Sequence, residues 1–284
     1  MFWKSIFFTI EAIFEMANVA QNIVFKIESL FGANKHISRN IQLKNSGLAK
    51  KIFIVGNGPS VKKQNISDLK YEEAIFVNMG FKHPHYITIL PRYHVLVDPK
   101  LANGEWDIGI LDEIVSLNPN VTLVLNGKWF NKEKFKPYID NPAFKIIWVR
   151  VNLFVTRFHK NKNLNISTIT YGMGVLGASL ALANYLGSRE IVLLGVESNA
   201  FCYEFERKES HFYGINKDNI NMDSEGVYKS LFFNYLYLMG LHNLSTRSKS
   251  ICITNCTPGG ILKMFERDIL ENKLVESGAK NDKG

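Results

Sequence analysis

The chain has 284 residues, 46% of them hydrophobic, and a formal net charge of +8. That length and composition exclude a disordered polymer and allow one large domain, or one domain with appendages. The positive charge favours anionic partners such as nucleotides, acidic glycans or an anionic membrane surface. No Lys/Arg-rich run, zinc-finger spacing or RNA-binding signature is present, so nucleic acid is not an expected partner. Three cysteines, Cys202, Cys252 and Cys256, fit a reducing compartment without a disulfide framework. Cys252 and Cys256 have no nearby histidine to complete a metal set, which favours buried thiols.

Residues 1–31 are strongly apolar but carry Lys4, Glu11, Glu15, Lys26 and Glu28. The longest uncharged interval, residues 16–25, is too short to span a bilayer. Acidic residues and the lack of an A-x-A-like site argue against a signal peptide. Polar positions 4, 11, 15, 22 and 26 recur at steps of seven and four, which places them on one narrow stripe of a helix. Such a helix fits three settings: a membrane interface with Phe2, Trp3, Phe7 and Phe8 inserted, the surface of its own domain, or a second copy of the chain in a homo-oligomer. Residues 32–50 are polar, basic and rich in Gly and Asn, and read as a linker.

The main domain spans 51–276. Lys51 to Val55 forms a buried strand, by its continuous apolar run. The chain then turns through Gly56, Asn57, Gly58, Pro59 and Ser60. Glycines allow a ligand close to the main chain, and open α/β sheets bind nucleotides beyond the carboxyl ends of their strands. A purely structural turn is the competing reading, because the motif is neither a Walker A loop nor a full G-x-G-x-x-G. Further strands are expected at 74–77, 86–90, 94–97, 121–125, 145–151, 190–194 and 250–254. Helices are expected at 108–116, 175–186, 228–241 and 261–274. Residues 201–223 are aromatic and charged without periodicity and read as a lid; 277–284 read as a frayed tail. Strands alternating with helices imply an α/β, Rossmann-like fold with a mostly parallel sheet.

Asn57, Asn78, Asp98 and Glu197 fall at strand ends, where a parallel sheet would gather them on one edge. Each alone fits a structural cap; together they suggest a site. Thr170, Tyr171, Gly172 and Gly174 precede a helix N-terminus, which suits phosphate, with close helix–strand packing as the alternative. His211, in the lid, is the candidate general base. Tyr203 and Tyr213 are candidate hydrogen-bond donors to a leaving phosphate. No metal-ligand cluster, G-x-S-x-G or catalytic cysteine signature is present, which points to metal-independent chemistry other than hydrolysis.

The GNGPS loop on the first strand, Asn78, the Asp98-Pro99 step and the run GVLGASLALANYLGSREIVLLGVE (residues 174–197) resemble the bacterial sialyltransferases of the variant GT-A type. The resemblance covers residues 51–60, 74–99 and 170–214. It implies metal-independent transfer of sialic acid from a CMP donor to a surface glycan of lipopolysaccharide or capsule, by a cytoplasmic enzyme at the inner face of the bacterial membrane. It implies that Gly56, Asn57, Gly58, Pro59, Ser60 and Asn78 bind the nucleotide, that Gly172 and Gly174 line its pocket, and that His211 is the base. Asp98 stands where that family has Asn, and Glu197 where it has Asp. Asp98 and the Asn255-Cys-Thr-Pro258 run are also similar to the 6-hydroxymethylpterin pyrophosphokinase-like proteins and the flagellin glycosyltransferases that share that domain. On that alternative, ATP and Mg²⁺ would replace the sugar donor, with Asp98 and Glu197 as ligands. A non-catalytic nucleotide-binding protein is the third reading.

Overall fold

The computed structural model describes residues 2–46, 50–158, 164–172, 174–199, 209–214, 223–247 and 251–274. Its centre is a nine-stranded sheet of order β6-β5-β4-β3-β2-β1-β7-β8-β9, in which every pairing is parallel. The strands are β1 (Lys51–Val55), β2 (Ala74–Val77), β3 (Tyr93–Leu96), β4 (Thr122–Asn126), β5 (Lys145–Leu153), β6 (Ile169–Tyr171), β7 (Glu190–Leu194), β8 (Cys252–Asn255) and β9 (Glu266–Arg267). The middle strands are covered on both faces, so they read as unbroken apolar runs: Ile52 to Val55, Ala74 to Val77 and Ile191 to Leu194 are all buried. This is the α/β, Rossmann-like architecture expected from the sequence.

The strand order fixes where a site can form. The chain adds strands on one side of β1 as far as β6, then returns to lay β7 on the other side. The order therefore reverses between β1 and β7, and open sheets leave a crevice at that point. The return runs through the Gly174–Tyr185 helix, which packs against β1, β2, β3, β5 and β6. Its alanines and glycine permit that close approach. Gly172 and Gly177 touch backbone to backbone, so a Cβ on either would overlap the other.

Three segments differ from expectation. Residues 86–90 form a short helix, Tyr86–Ile89, rather than a strand. Tyr86 and Ile89 are buried while Ile87 and Leu90 face solvent, a spacing of three that suits a helical turn, and Leu90 ends it in the left-handed region. Residues 261–274 contain no α-helix: Glu266–Arg267 pair with the outer edge of β8, and a 3₁₀ turn follows at Leu270–Asn272. The buried Leu262 and Phe265 mimic a helical spacing, but the open edge of β8 is the stronger partner for this backbone. The stretch read as a linker folds in part onto the domain. Ile37 is fully buried, and the Asn40 amide donates to the carbonyls of Trp148 (2.7 Å) and Ile166 (2.8 Å).

The N-terminal helix, Phe2–Leu30, docks on the domain through Glu11, Glu15, Asn18 and Glu28, whereas Lys4 and Lys26 of the expected stripe are exposed. Glu11 is buried and accepts from the Arg157 backbone N–H (2.7 Å), the Arg157 Nε (2.8 Å) and the Asn243 amide (3.0 Å). Asn18 exchanges two hydrogen bonds with the Phe154 backbone (2.8 and 3.0 Å). Glu15 accepts from Thr156, and Glu28 pairs with Arg150. No helix among the described residues is long and apolar enough to cross a membrane.

Candidate functional site

A cleft of about 440 Å³ opens at the carboxyl edge of the sheet, over the reversal between β1 and β7. Gly56, Asn57, Gly58, Asn78, Asp98, Gly174, Glu197 and His211 line it. The four polar residues at strand ends thus meet, because β3, β2, β1 and β7 are consecutive neighbours in the sheet.

The Gly-rich loop is held from beneath by the segment after β7. Gly56 N–H donates to the Leu194 carbonyl and Gly58 N–H to the Gly195 carbonyl, each at 2.8 Å. A Cβ on Gly58 would overlap the Glu197 carboxylate, and one on Gly56 would overlap the Gly195 carbonyl oxygen. Both glycines are therefore required by the chain's own close packing. Glu197 is buried; one of its oxygens accepts from the Ser60 backbone N–H at 2.7 Å. Ser60 lies in the 3₁₀ turn Pro59–Lys63, which Pro59 opens.

Asn78 follows β2 with φ +46, in the left-handed region that Asn tolerates better than most residues with a side chain. His94, fully buried in β3, braces it. Its Nε2–H donates to the Asn78 carbonyl (2.8 Å), and its Nδ1 accepts from the Tyr86 hydroxyl (3.0 Å). Burial pushes the His94 pKa down to about 4, so this pair of bonds is made by the neutral ring. Asp98 caps the Pro99–Asn103 turn by accepting from Lys100 N–H (3.0 Å), and burial raises its pKa.

His211 reaches the cleft on a tight turn. Its backbone exchanges hydrogen bonds with Gly214, and the Phe212 N–H donates to the Asn57 carbonyl at 2.8 Å. That last bond ties the His211 segment to the Gly-rich loop. The imidazole bonds Ser210 through Nδ1 (2.9 Å) and stacks on Tyr213, with centroids 4.9 Å apart. Burial, and then repulsion from Lys100, lowers the His211 pKa, so the ring is a neutral base near pH 7. Burial, and then the Asp98 charge, raises the Tyr213 pKa, which keeps its hydroxyl protonated.

Other predicted residues fall elsewhere. Gly172 packs on Gly177 and, like the buried Thr170 of β6, is not among the residues lining the cleft. Tyr171 ends β6. Tyr203 and most of the expected lid, residues 201–208 and 215–222, lie outside the described residues. Conversely, the cleft includes Ser198, Asn199, Ser210, Asn234 and Tyr237, which the sequence reading missed. Asn234 and Tyr237 are polar positions three apart in a largely apolar helical run, Ser224–Arg247, a faint signal of a polar face turned inward. Burial pushes the Tyr237 pKa up to about 12, and its hydroxyl meets Ser198 Oγ at 3.3 Å.

Asn57 Oδ1, Asn78 Oδ1 and the second carboxylate oxygen of Glu197, all on cleft residues, are buried with no hydrogen-bond partner among the described residues. A buried polar atom left alone costs about 1–3 kcal/mol. A ligand bearing hydroxyl or amino donors would relieve that cost. No group of three or more metal-ligating side chains occurs among the described residues.

No family model and no curated protein matches the chain. Solved structures similar to it include glycosyltransferases. One is the Maf glycosyltransferase from Magnetospirillum magneticum AMB-1, at 13% identity and TM-score 0.47 over 84% of this chain. This chain spans only 38% of that protein's length. A second is the sialyltransferase CST-II in complex with a trisaccharide acceptor and CMP, at 18% identity and TM-score 0.42, covering 76% of this chain and 85% of the other. A third is the sialyltransferase CstII from Campylobacter jejuni with cytidine-5'-monophosphate, at 17% identity and TM-score 0.43, covering 78% and 85%. All three TM-scores lie below 0.5, so each likeness is partial.

Proposed function

We propose that the chain is a metal-independent glycosyltransferase that takes a nucleotide sugar, an acidic sugar such as sialic acid on CMP, and adds it to a bacterial surface glycan. The observation that carries this reading is the convergence, at the β1/β7 reversal, of unpaired buried acceptors with the neutral His211, which stacks on Tyr213, a residue not among those lining the cleft. Asn57, Asn78 and Glu197 offer acceptors to the hydroxyl and amino groups of a nucleoside. The N–H groups of Gly56, Gly58 and Ser60 are taken up within the chain, so the start of the Gly174–Tyr185 helix is what offers backbone N–H groups to phosphate.

In the proposed reaction, His211 takes the proton of an acceptor hydroxyl. That oxygen bonds to the anomeric carbon as the bond from carbon to phosphate oxygen breaks. The electron pair leaves on the nucleotide phosphate. Tyr213 lies beside His211 and would donate a hydrogen bond to the departing phosphate.

The test is release of CMP from CMP-sialic acid, in the presence of a lipooligosaccharide acceptor and EDTA, by the wild type and by His211→Ala. Turnover in EDTA that the substitution removes supports the reading. Turnover that needs Mg²⁺ and ATP, with no use of a CMP sugar, would replace it with pyrophosphoryl transfer. Unaltered CMP binding with no turnover on any acceptor would leave a nucleotide-binding protein.

A further inference from the structure

The N-terminal helix is amphipathic in the opposite sense to a usual surface helix. Its carboxylates Glu11, Glu15 and Glu28 turn toward the domain, where Arg157, Thr156 and Arg150 meet them. The outward face is apolar. Ile13, Met16, Val19, Ile23 and Ile27 are each at least half exposed, and Leu30 and Phe31 are 84% exposed. The spacing of three to four runs the stripe along most of the helix. It widens onto the neighbouring Ser224–Arg247 helix, where Phe232 lies 6.5 Å from the Phe14 ring and Tyr228 and Phe233 are exposed.

Along the first segment the exposed charges have one sign, while Asp223 and Glu225 are exposed at the start of the neighbouring helix. From residue 2 to 44 the exposed charged side chains are Lys4, Lys26, Lys35, Arg39 and Lys44, whereas the three acidic ones are buried or half-buried. At the C-terminal end of the helix an open groove of about 960 Å³ is lined by Lys26, Ser29, Leu30, Phe31, Lys35 and Ser38. Lysines and serines beside exposed apolar side chains form a seat for a phosphate carried on a hydrocarbon chain.

We infer that this face is a docking surface for an anionic lipid bilayer, with the helix lying in the interface plane and lipid phosphate held in the groove between Lys26 and Lys35. The chemistry is that of interfacial helices: apolar side chains enter the acyl boundary, and lysines meet anionic headgroups. A second copy of the chain fits less well. Two such faces laid together would bring basic groups against basic groups, because the acidic side chains of the segment are turned inward. The inference stands apart from the chemistry proposed for the cleft.

Vesicle flotation of the full chain tests it, with phosphatidylcholine alone and with phosphatidylcholine plus phosphatidylglycerol, at low and high salt. The chain should float with the anionic vesicles only, and less at high salt. Lys26→Gln with Lys35→Gln should bind roughly thirtyfold more weakly. Ile23→Ser with Ile27→Ser should abolish flotation and leave the melting temperature unchanged, since both positions face solvent. Equal binding to neutral vesicles, no binding at all, or binding indifferent to these substitutions would overturn the inference. So would a dimer that the Ile23→Ser, Ile27→Ser variant dissociates without any flotation, which would assign the face to a second copy.

Discussion

Two regions of this protein bury polar side chains, and they do so differently. Beneath the N-terminal helix the buried groups have partners: Glu11 with Arg157 and Asn243, and Asn18 with the Phe154 backbone. Gln21 Oε1 and Arg150 Nε are exceptions at that interface. In the cleft at the carboxyl edge of the sheet, acceptors on Asn57, Asn78 and Glu197 have no partner among the described residues. The paired set reads as architecture, because each bond offsets the desolvation of the groups that make it. The unpaired set reads as a site, because its desolvation is offset only when a ligand arrives.

The contrast predicts that substitutions in the cleft cost function and substitutions under the helix cost stability. His211→Ala should show the largest effect. Turnover should fall by about 10²–10⁴, the usual contribution of a general base, while CMP affinity and melting temperature hold. A variant that retains full turnover would remove His211 from the chemistry. Asn57→Ala should leave the melting temperature of the free protein unchanged or higher. Calorimetric titration should show its CMP affinity weakened by roughly 0.5–1.5 kcal/mol, the net worth of a hydrogen bond between neutral groups. Glu11→Gln should do the reverse: about 1–3 kcal/mol of stability lost to denaturant, with CMP affinity intact. If Asn57→Ala destabilises the fold as much as Glu11→Gln does, the two regions are alike and the contrast fails.

A further effect is graded with pH. Burial, and then the neighbouring His85, pushes His83 to about 4, and burial does the same to His94. An unfolded chain takes up those protons near the ordinary histidine value of about 6.5, which the folded chain refuses until about 4. Stability from these rings is thus fully present above about pH 6.5 and lost as pH falls toward 4. For Glu11, burial raises the pKa, but its bonds to Arg157 and Asn243 outweigh that and hold it low. It adds a further loss below the ordinary carboxylate range. Melting temperature against pH should show both limbs, and Glu11→Gln should remove only the lower one.

Much of this arrangement was legible in the sequence. The unbroken apolar runs announced the buried parallel strands, and the polar residues that follow β1, β2, β3 and β7 marked one edge. What was hidden depends on contacts distant along the chain. The polar stripe of the first helix is visible in its spacing, but its inward direction is set by Arg150, Thr156, Arg157 and Asn243. Asn234 and Tyr237 enter the cleft only because their helix packs over the sheet edge. The reason for Gly58 was hidden likewise, since the Glu197 carboxylate that fills its side-chain space comes from beyond β7. The Tyr86–Ile89 turn and the 261–274 segment misled because short apolar runs fit either period.

The central claim is that the β1/β7 cleft receives a nucleotide, and calorimetric titration of CMP in EDTA tests it most directly, with wild type and Asn57→Ala side by side. The account predicts binding by the wild type without metal, together with thermal stabilisation approaching about 2.7 kcal/mol at a hundredfold excess over the dissociation constant, and clear weakening in the variant. Equal CMP affinity in both proteins, or no binding of CMP alongside Mg²⁺-dependent binding of ATP, would contradict it.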